Sequence, residues 1–250
     1  MRALITLLTD FGTADGYVAE MKGVLLSRAP DARLVDVTHD IAPHDVEAGR
    51  LALARYWRRF PEGTVHLAVV DPGVGSARAA LAVASEGRTL VGPDNGLLSP
   101  ALLAADARAV ELPVPGNASA TFHGRDLFAP AAALLALGAP LDSLGPRAEA
   151  PGIRRTPEPH RLEDGGVAGE IISIDRFGNA ITNLIARHGG RIEVAGHTVP
   201  IVRSYSDAAG GHPVAISGSS GLIEIAMREG SAAASLRVRR GTPVVLRFEQ

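Results

Sequence analysis

The sequence predicts an α/β protein: an N-terminal α/β domain with a mostly parallel sheet sandwiched by helices, followed by a small C-terminal all-β barrel domain. Three observations predict it. Across the first 140 residues short apolar runs alternate with helical stretches, the pattern of parallel strands joined by helical crossovers and covered on both faces. From Arg147 to Gly166 this pattern breaks in "RAEAPGIRRTPEPHRLEDGG", which is charged, proline-containing and aperiodic. Beyond it the apolar runs are short and β-rich, with no long helical period among them. The expected organisation is therefore an α/β domain at 1–146, a linker at 147–166 and a β-barrel domain at 167–250.

Each element has its own reason. "RALITLLTD" is a first strand, and "ADGYVAEMKGVLLSRA" a helix with Val18, Met21, Val24 and Leu25 on one face. "ARLVDVT" is a second strand. "DVEAGRLALARYWRRF" is a second helix, with Asp45 suited to its N-cap. "TVHLAVV", "AALAVAS" and "TLVGPDNG" are further strands, the last ending in turn chemistry at Asn95-Gly96. "LFAPAAALLALG" is a helix closed by Gly138. In the second domain the strands are expected in "GEIISID", "NAITNLI", "RIEVAGHTVPIV", "HPVAISGSSGLIEIAM" and "SLRVRRGTPVVLRF".

Composition narrows the function. The chain has 250 residues, 25 basic against 27 acidic, for a formal net charge of −2. No basic run stands out, so no nucleic-acid footprint is expected. No apolar run approaches the roughly 18 residues of a membrane span, and "MRALITLLTDFG" reads as a first strand rather than a signal peptide. There is no cysteine, hence no disulfide and no thiolate metal site. A cytoplasmic protein acting on a small neutral or zwitterionic molecule, without nucleic acid or membrane as partner, fits this balance.

In open α/β sheets ligands bind at the carboxyl ends of strands, and three polar clusters fall there. They are "LLTDFGTADGY" with Asp10 and Asp15, "VVDPGVGSAR" with Asp71 and Arg78, and "TFHGRDLF" with His123, Arg125 and Asp126. Taken singly each has a bland explanation: an N-cap, an ordinary turn, a hydrogen-bonded structural histidine. Convergence of all three on one sheet edge favours a site. Phosphate-loop, dinucleotide and nucleophile-elbow motifs are missing. "THDIAPHD" offers His39, Asp40, His44 and Asp45 as an alternative metal cluster. In the β domain "DRFGNAITN" and "SGSSGLIEIA" are the polar-rich turns.

Together "TDFGTADGYVAEMKG", "DPGVGSAR", "GPDNG", "TFHGRD", "DRFGNAITN" and "GSSGLIEIA" resemble the S-adenosyl-L-methionine (SAM) hydroxide adenosyltransferases, relatives of the bacterial fluorinase and chlorinase. The resemblance runs from the first strand to the C-terminus. It implies the same two-domain fold, a homotrimer with ligand sites between subunits, and hydrolysis of SAM to adenosine and L-methionine by water attacking ribose C5′. It implies no cofactor and no metal, SAM being the substrate. The catalytic triad of the water-using members falls on Asp71, Arg78 and His123, with His123, oriented by Asp71, a candidate base. The halogenating relatives carry a tyrosine at Asp71, a threonine at Val74 and another aromatic at His123. The fluorinase also has a serine at Gly124 to hold halide, and a tryptophan near the nucleoside where this chain has His44.

The resemblance also assigns binding roles. Asp10 takes the ribose hydroxyls, Asp175 the methionine ammonium and Asn179 the adenine edge. Ser219 lies near the methionine carboxylate and Tyr205 stacks on adenine. Phe122 and Gly124 flank His123 in the pocket. Ser220 replaces an arginine of the fluorinase, leaving Arg228 as a candidate for the carboxylate. Three other activities compete: a halide-using SAM transferase, a non-catalytic adenosine- or SAM-binding module, and a metallohydrolase built on His39, Asp40 and His44.

Overall fold

A computed structural model describes residues 3–185, 189–207 and 210–248, which divide into two units, Met1–Arg154 and Arg155–Gln250. The first unit is built on β1 (Leu4–Thr9), α1 (Tyr17–Arg28), β2 (Arg33–Thr38), α2 (Val46–Tyr56), β3 (Val65–Val69), β4 (Ala80–Ser85), β5 (Arg88–Pro93), α3 (Ser99–Leu102), β6 (Arg108–Glu111) and α4 (Ala129–Ala136). Its six strands lie in the order β2-β1-β3-β5-β4-β6. Strands β2, β1, β3 and β5 are parallel, and β4 alone runs against its neighbours β5 and β6.

The alternation along the strands explains the layers. Ile5 and Leu7 of β1 and Val65, Leu67 and Val69 of β3 face Met21 and Leu25 of α1 and Ala129 and Ala132 of α4. The intervening Leu8, Ala68 and Val70 face the other way, onto Leu53 of α2, Trp57 and Leu97. The sheet is thus buried on both faces, as near-continuous apolar strands require. Asp45 caps α2, its Oδ1 accepting from Ala48 N at 3.0 Å. Helix α4 is shorter than its apolar run, because Gly124–Phe128 form a π-helical turn ahead of it. Gly138 follows α4 with φ +90°, the left-handed stop that glycine allows.

Residues after Arg147 keep their own partners. Ala148 is buried in the first unit, and Arg154 N donates to Ser99 Oγ at 2.8 Å. In the second unit Asn183 Nδ2 donates to Pro157 O at 2.7 Å.

The second unit contains β7 (His160–Arg161), β8 (Val167–Ile174), β9 (Ala180–Thr182), β10 (Arg191–Val194), β11 (His197–Pro200), β12 (Pro213–Ser217), β13 (Ile223–Met227), the short helix α5 (Ala232–Leu236) and β14 (Pro243–Arg247). The antiparallel order is β11-β10-β14-β8-β9-β13-β12, with β7 on β8. The two ends of this path meet through an Ile201–Ala215 bridge, which nearly closes the barrel. Its interior is lined by Ile171, Ile192, Val194, Ile223, Ile225, Val244 and Leu246. Helix α5 and a 3-10 turn at Tyr205–Asp207 depart from an all-β unit. Ser231 caps α5 by accepting from Ala234 N. No helix among the described residues is long and apolar enough to cross a membrane.

Candidate functional site

The first unit has its topological switch point between β1 and β3. From β1 the chain crosses by α1 to β2 on one side, and then by α2 to β3 on the other. Ligands of open α/β sheets bind in the crevice at such a point. Thr9 and Val69 pair across it, so Asp10 and Asp71 leave the sheet at the same edge.

Asp71, Arg78 and His123 come together there. Arg78 Nε donates to Asp71 Oδ1 at 2.8 Å, and Arg78 Nη2 donates to Asp71 Oδ2, a two-bond fork between planar groups. Nη2 also lies 3.0 Å from His123 Nδ1, and Nη1 donates to Ala79 O at 3.2 Å. The ion pair is nearly dry, with 4% of the Asp71 side chain and 10% of the Arg78 side chain exposed. An arginine can only donate, so Nδ1 accepts and the neutral ring carries its proton on Nε2. Burial pushes the His123 pKa down and the Arg78 cation pushes it further, against upward contributions from Asp71 and Asp126. The order of contact is therefore Asp71–Arg78–His123. Sequence reasoning made Asp71 the group that orients the ring; in the structure Arg78 takes that place, because its fork spans both.

Local backbone brings these loops together. After β3, Val74 N donates to Asp71 O and Ser76 N to Gly73 O, folding the segment back on itself. Gly75 has φ +75°, and a Cβ there would lie 2.3 Å from Ala120 O. Only glycine permits both the conformation and the approach to the loop that carries His123. On the other side, Phe122 packs edge-on against Phe11 and Tyr17, at ring separations of 5.8 and 5.3 Å. A Cβ on Gly124 would meet Met21, Phe122 and Phe11 at 3.2–3.3 Å, so even a serine there must displace its neighbours.

Asp10 sits at the end of β1, with Oδ2 accepting from His44 N at 2.8 Å. That bond holds His44 at φ +68°, a strained setting for a non-glycine residue and a frequent mark of a functional site. His39 is buried beside it. Its Nδ1 lies 2.8 Å from Thr9 Oγ1 and its Nε2 3.1 Å from Asp36 Oδ1, while Asp36 also accepts from Lys22 Nζ at 2.6 Å. His39 Nδ1 is hydrogen-bonded, whereas the buried Nε2 lies near Asp36 without an aligned hydrogen bond. Among the described residues no three His, Asp or Glu side chains converge as metal ligands.

In the second unit the candidates gather at two turns. Asp175 Oδ1 accepts from the backbone N of Phe177 and of Asn179, and Oδ2 from Asn179 Nδ2, each at 2.9 Å. Gly178 turns the chain with φ +81°, where a Cβ would strike Ser231. One of the two Asn179 amide N–H groups is thus given to Asp175, leaving the other N–H and the amide oxygen for a ligand. Tyr205 OH donates to Glu224 Oε2 at 3.3 Å, and burial, Glu224 and Asp175 all raise its pKa. Ser219 is exposed in the β12–β13 turn. Arg228 is exposed, 3.8 Å from Glu229. Sequence reasoning missed Glu224, although a lone carboxylate inside the apolar run "LIEIA" was a signal. It also missed the packing of Phe11 and Tyr17 on Phe122.

Known proteins bear on this geometry. Residues 5–145 match the family model of the SAM hydroxide adenosyltransferase N-terminal domain, and residues 169–245 that of the C-terminal domain. The chain is 46% identical to the (R)-S-adenosyl-L-methionine hydrolase of Thermus thermophilus, covering 97% of this chain and 98% of that one. It is 45% identical to the hydrolase of that name from Salinispora arenicola, covering 95% of each. To the fluorinase of an Actinoplanes strain it is 28% identical over 97% of each chain. Among solved structures, an uncharacterized conserved protein from Thermotoga maritima superposes with a TM-score of 0.88 at 32% identity, over 97% of this chain and 99% of that one.

Proposed function

The chain belongs to the SAM hydroxide adenosyltransferase family, and from that premise we propose that it hydrolyses (R)-S-adenosyl-L-methionine to adenosine and L-methionine. The observation that carries this is the buried Asp71–Arg78–His123 contact, the residue set of a water-using site. Two relatives at 45–46% identity named as hydrolases, against fluorinase at 28%, support the same choice.

The reaction is a displacement at ribose C5′. A water oxygen forms the new C–O bond as the C–S bond breaks, and sulfur keeps the electron pair and leaves as a neutral thioether. Water is a weak nucleophile, and its pKa near 15.7 leaves little free hydroxide at neutral pH. The site answers mainly by positioning. Neutral His123 offers Nε2–H to the water oxygen, and Arg78 fixes the ring that makes this bond. Once the C–O bond forms, the attached water becomes a strong acid. A weak base then suffices to take its proton, and Asp71 keeps a further lone pair on each oxygen beyond those bonded to Arg78.

Asp10 is assigned to the ribose hydroxyls, with His44, Phe122 and Gly124 beside the nucleoside. Asp175 is assigned to the methionine ammonium, Asn179 and Tyr205 to adenine, and Ser219 to the methionine carboxylate. The protein works without cofactor or metal, since a sulfonium that leaves neutral needs no Lewis acid. We infer a homotrimer, as the family resemblance implies, placed in the cytoplasm on the composition of the chain, and native mass measurement tests the trimer. Incubation with SAM in ¹⁸O-water, with chloride and fluoride present, tests the reaction. Adenosine labelled at C5′ with unlabelled methionine is expected. Unlabelled adenosine, or halogenated adenosine as main product, defeats the assignment. Retained activity in EDTA is expected.

A further inference from the structure

We propose that Asp126 and Arg125 are positioning residues for His123, clamping the loop that carries it, with Glu20 anchoring the clamp on α1. The inference rests on the catalytic part given above to His123. Asp126 grips the loop at two points. Its Oδ2 accepts from Ser119 N at 2.9 Å, and its own backbone N donates to Phe122 O at 3.2 Å. The carboxylate is itself held by Arg125, Nε to Oδ1 at 2.6 Å and Nη2 to Oδ2 at 2.9 Å. The third arm of that guanidinium, Nη1, donates to Glu20 Oε2 at 2.7 Å. The guanidinium also lies 5.1 Å over the Phe122 ring, the residue directly before His123.

These contacts form one path. Glu20 fixes Arg125, Arg125 fixes Asp126, and Asp126 fixes Ser119. Ser119 adjoins Ala120, whose carbonyl is the group against which Gly75 packs. The loop carrying His123 is therefore tied to α1 on one side and seated against the Asp71–Arg78 loop on the other. The trio is a third to a half exposed at Arg125 and Glu20, and exposed ion pairs add little global stability. Arg125 has three fixed contacts here, which one ammonium cannot reproduce. What the arrangement does secure is the place of one ring, where an error near 1 Å costs about 100-fold in rate.

The test uses the full chain with Asp126→Asn, Arg125→Ala, Arg125→Lys and Glu20→Gln. Two readouts are taken: steady-state kinetics with SAM, and the ring nitrogen NMR signals of His123 in the free protein. Asp126→Asn and Arg125→Ala should shift the His123 signals and lower kcat about 10- to 100-fold, with KM nearly unchanged. Arg125→Lys should recover little. Glu20→Gln should shift the same signals less. If a variant loses kcat only in step with its Tm while the His123 signals stay put, the trio is merely structural and the inference is overturned. Should Asp126→Asn fail to fold, Glu20→Gln on the exposed helix face decides, and unmoved His123 signals there overturn it. If the wild type turns over no SAM, the hydrolase assignment fails on that result, while the His123 signals still decide the clamp.

Discussion

Arg78 Nη2 stands 3.0 Å from His123 Nδ1, and the same Nη2 together with Nε locks the guanidinium on Asp71. One cation thus sets both the tautomer of the ring and the place of the carboxylate. Asp71→Asn and His123→Ala should each lower kcat about 10²- to 10⁴-fold with little change in adenosine affinity. Arg78→Lys keeps the charge but loses the fork, and should fall nearly as far. Near-normal turnover in Asp71→Asn would remove the cluster from the mechanism. Because burial and Arg78 lower the ring pKa, kcat should fall on acidification with an inflection below that of a free imidazole, when protonation of Nδ1 breaks the bond from Arg78. A pH–rate profile checks the position of that inflection.

Asp10 should show a different signature. Asp10→Ala removes charge-assisted bonds worth roughly 1.5–3 kcal/mol each, and it also frees His44 from its strained conformation. SAM and adenosine should both bind about 10- to 100-fold more weakly, as isothermal titration can measure. Loss of kcat with unchanged affinity would place Asp10 in the chemistry instead.

Gly75→Ala tests the seating of the two loops. The new Cβ would lie 2.3 Å from Ala120 O at φ +75°, so the loops must part. Such strain costs about 1–3 kcal/mol. The Tm should fall modestly and kcat by a larger factor, because Arg78 moves away from His123. A variant with wild-type kcat would show that the seating is not needed for turnover.

The core holds a separate pH sensor of stability. His66 is fully buried against Tyr56 and Phe60, with Nδ1 2.7 Å from Thr6 Oγ1. Burial, aided by Arg88, depresses its pKa from 6.5 to about 4. A depressed histidine favours proton uptake in the unfolded chain. Its contribution is therefore complete above pH 6.5 and is lost as pH falls toward 4. The full loss is roughly 3 kcal/mol. Urea unfolding across that window should show the slope, and His66→Phe should flatten it. An unchanged slope in His66→Phe would assign the acid sensitivity to other groups.

Much of the fold was legible because a strand buried on both faces leaves a plain apolar run, as "TVHLAVV" and "RALITLLTD" do. Direction was not legible: the alternation in β4 is the same whichever way the strand runs, so its antiparallel placement had no sequence signal. The five-residue α5 is shorter than a helical period can reveal. The site was legible in kinds of residue, since carboxylates and a histidine at strand ends are conspicuous. Their contacts were not. Arg78 and His123 are separated by 45 positions, and nothing local says that the arginine, rather than Asp71, meets the ring. Asp175 shows the reverse case. Its turn was visible as turn chemistry, and the structure finds Oδ1 held by the backbone of that turn and Oδ2 by the Asn179 side chain.

Strand β14 follows thirteen other strands in sequence, yet it lies between β10 and β8 in the middle of the barrel. On the ribosome, both of its neighbours emerge first and must wait with unpaired edges and open apolar faces. The first unit is under no such delay, because its sheet is complete once β6 has emerged. Synthesis therefore leaves a folded α/β unit trailing an unclosed barrel, the stage at which premature termination or slow elongation most exposes the chain to aggregation. Removing β14 would open the barrel along its centre rather than fray its rim.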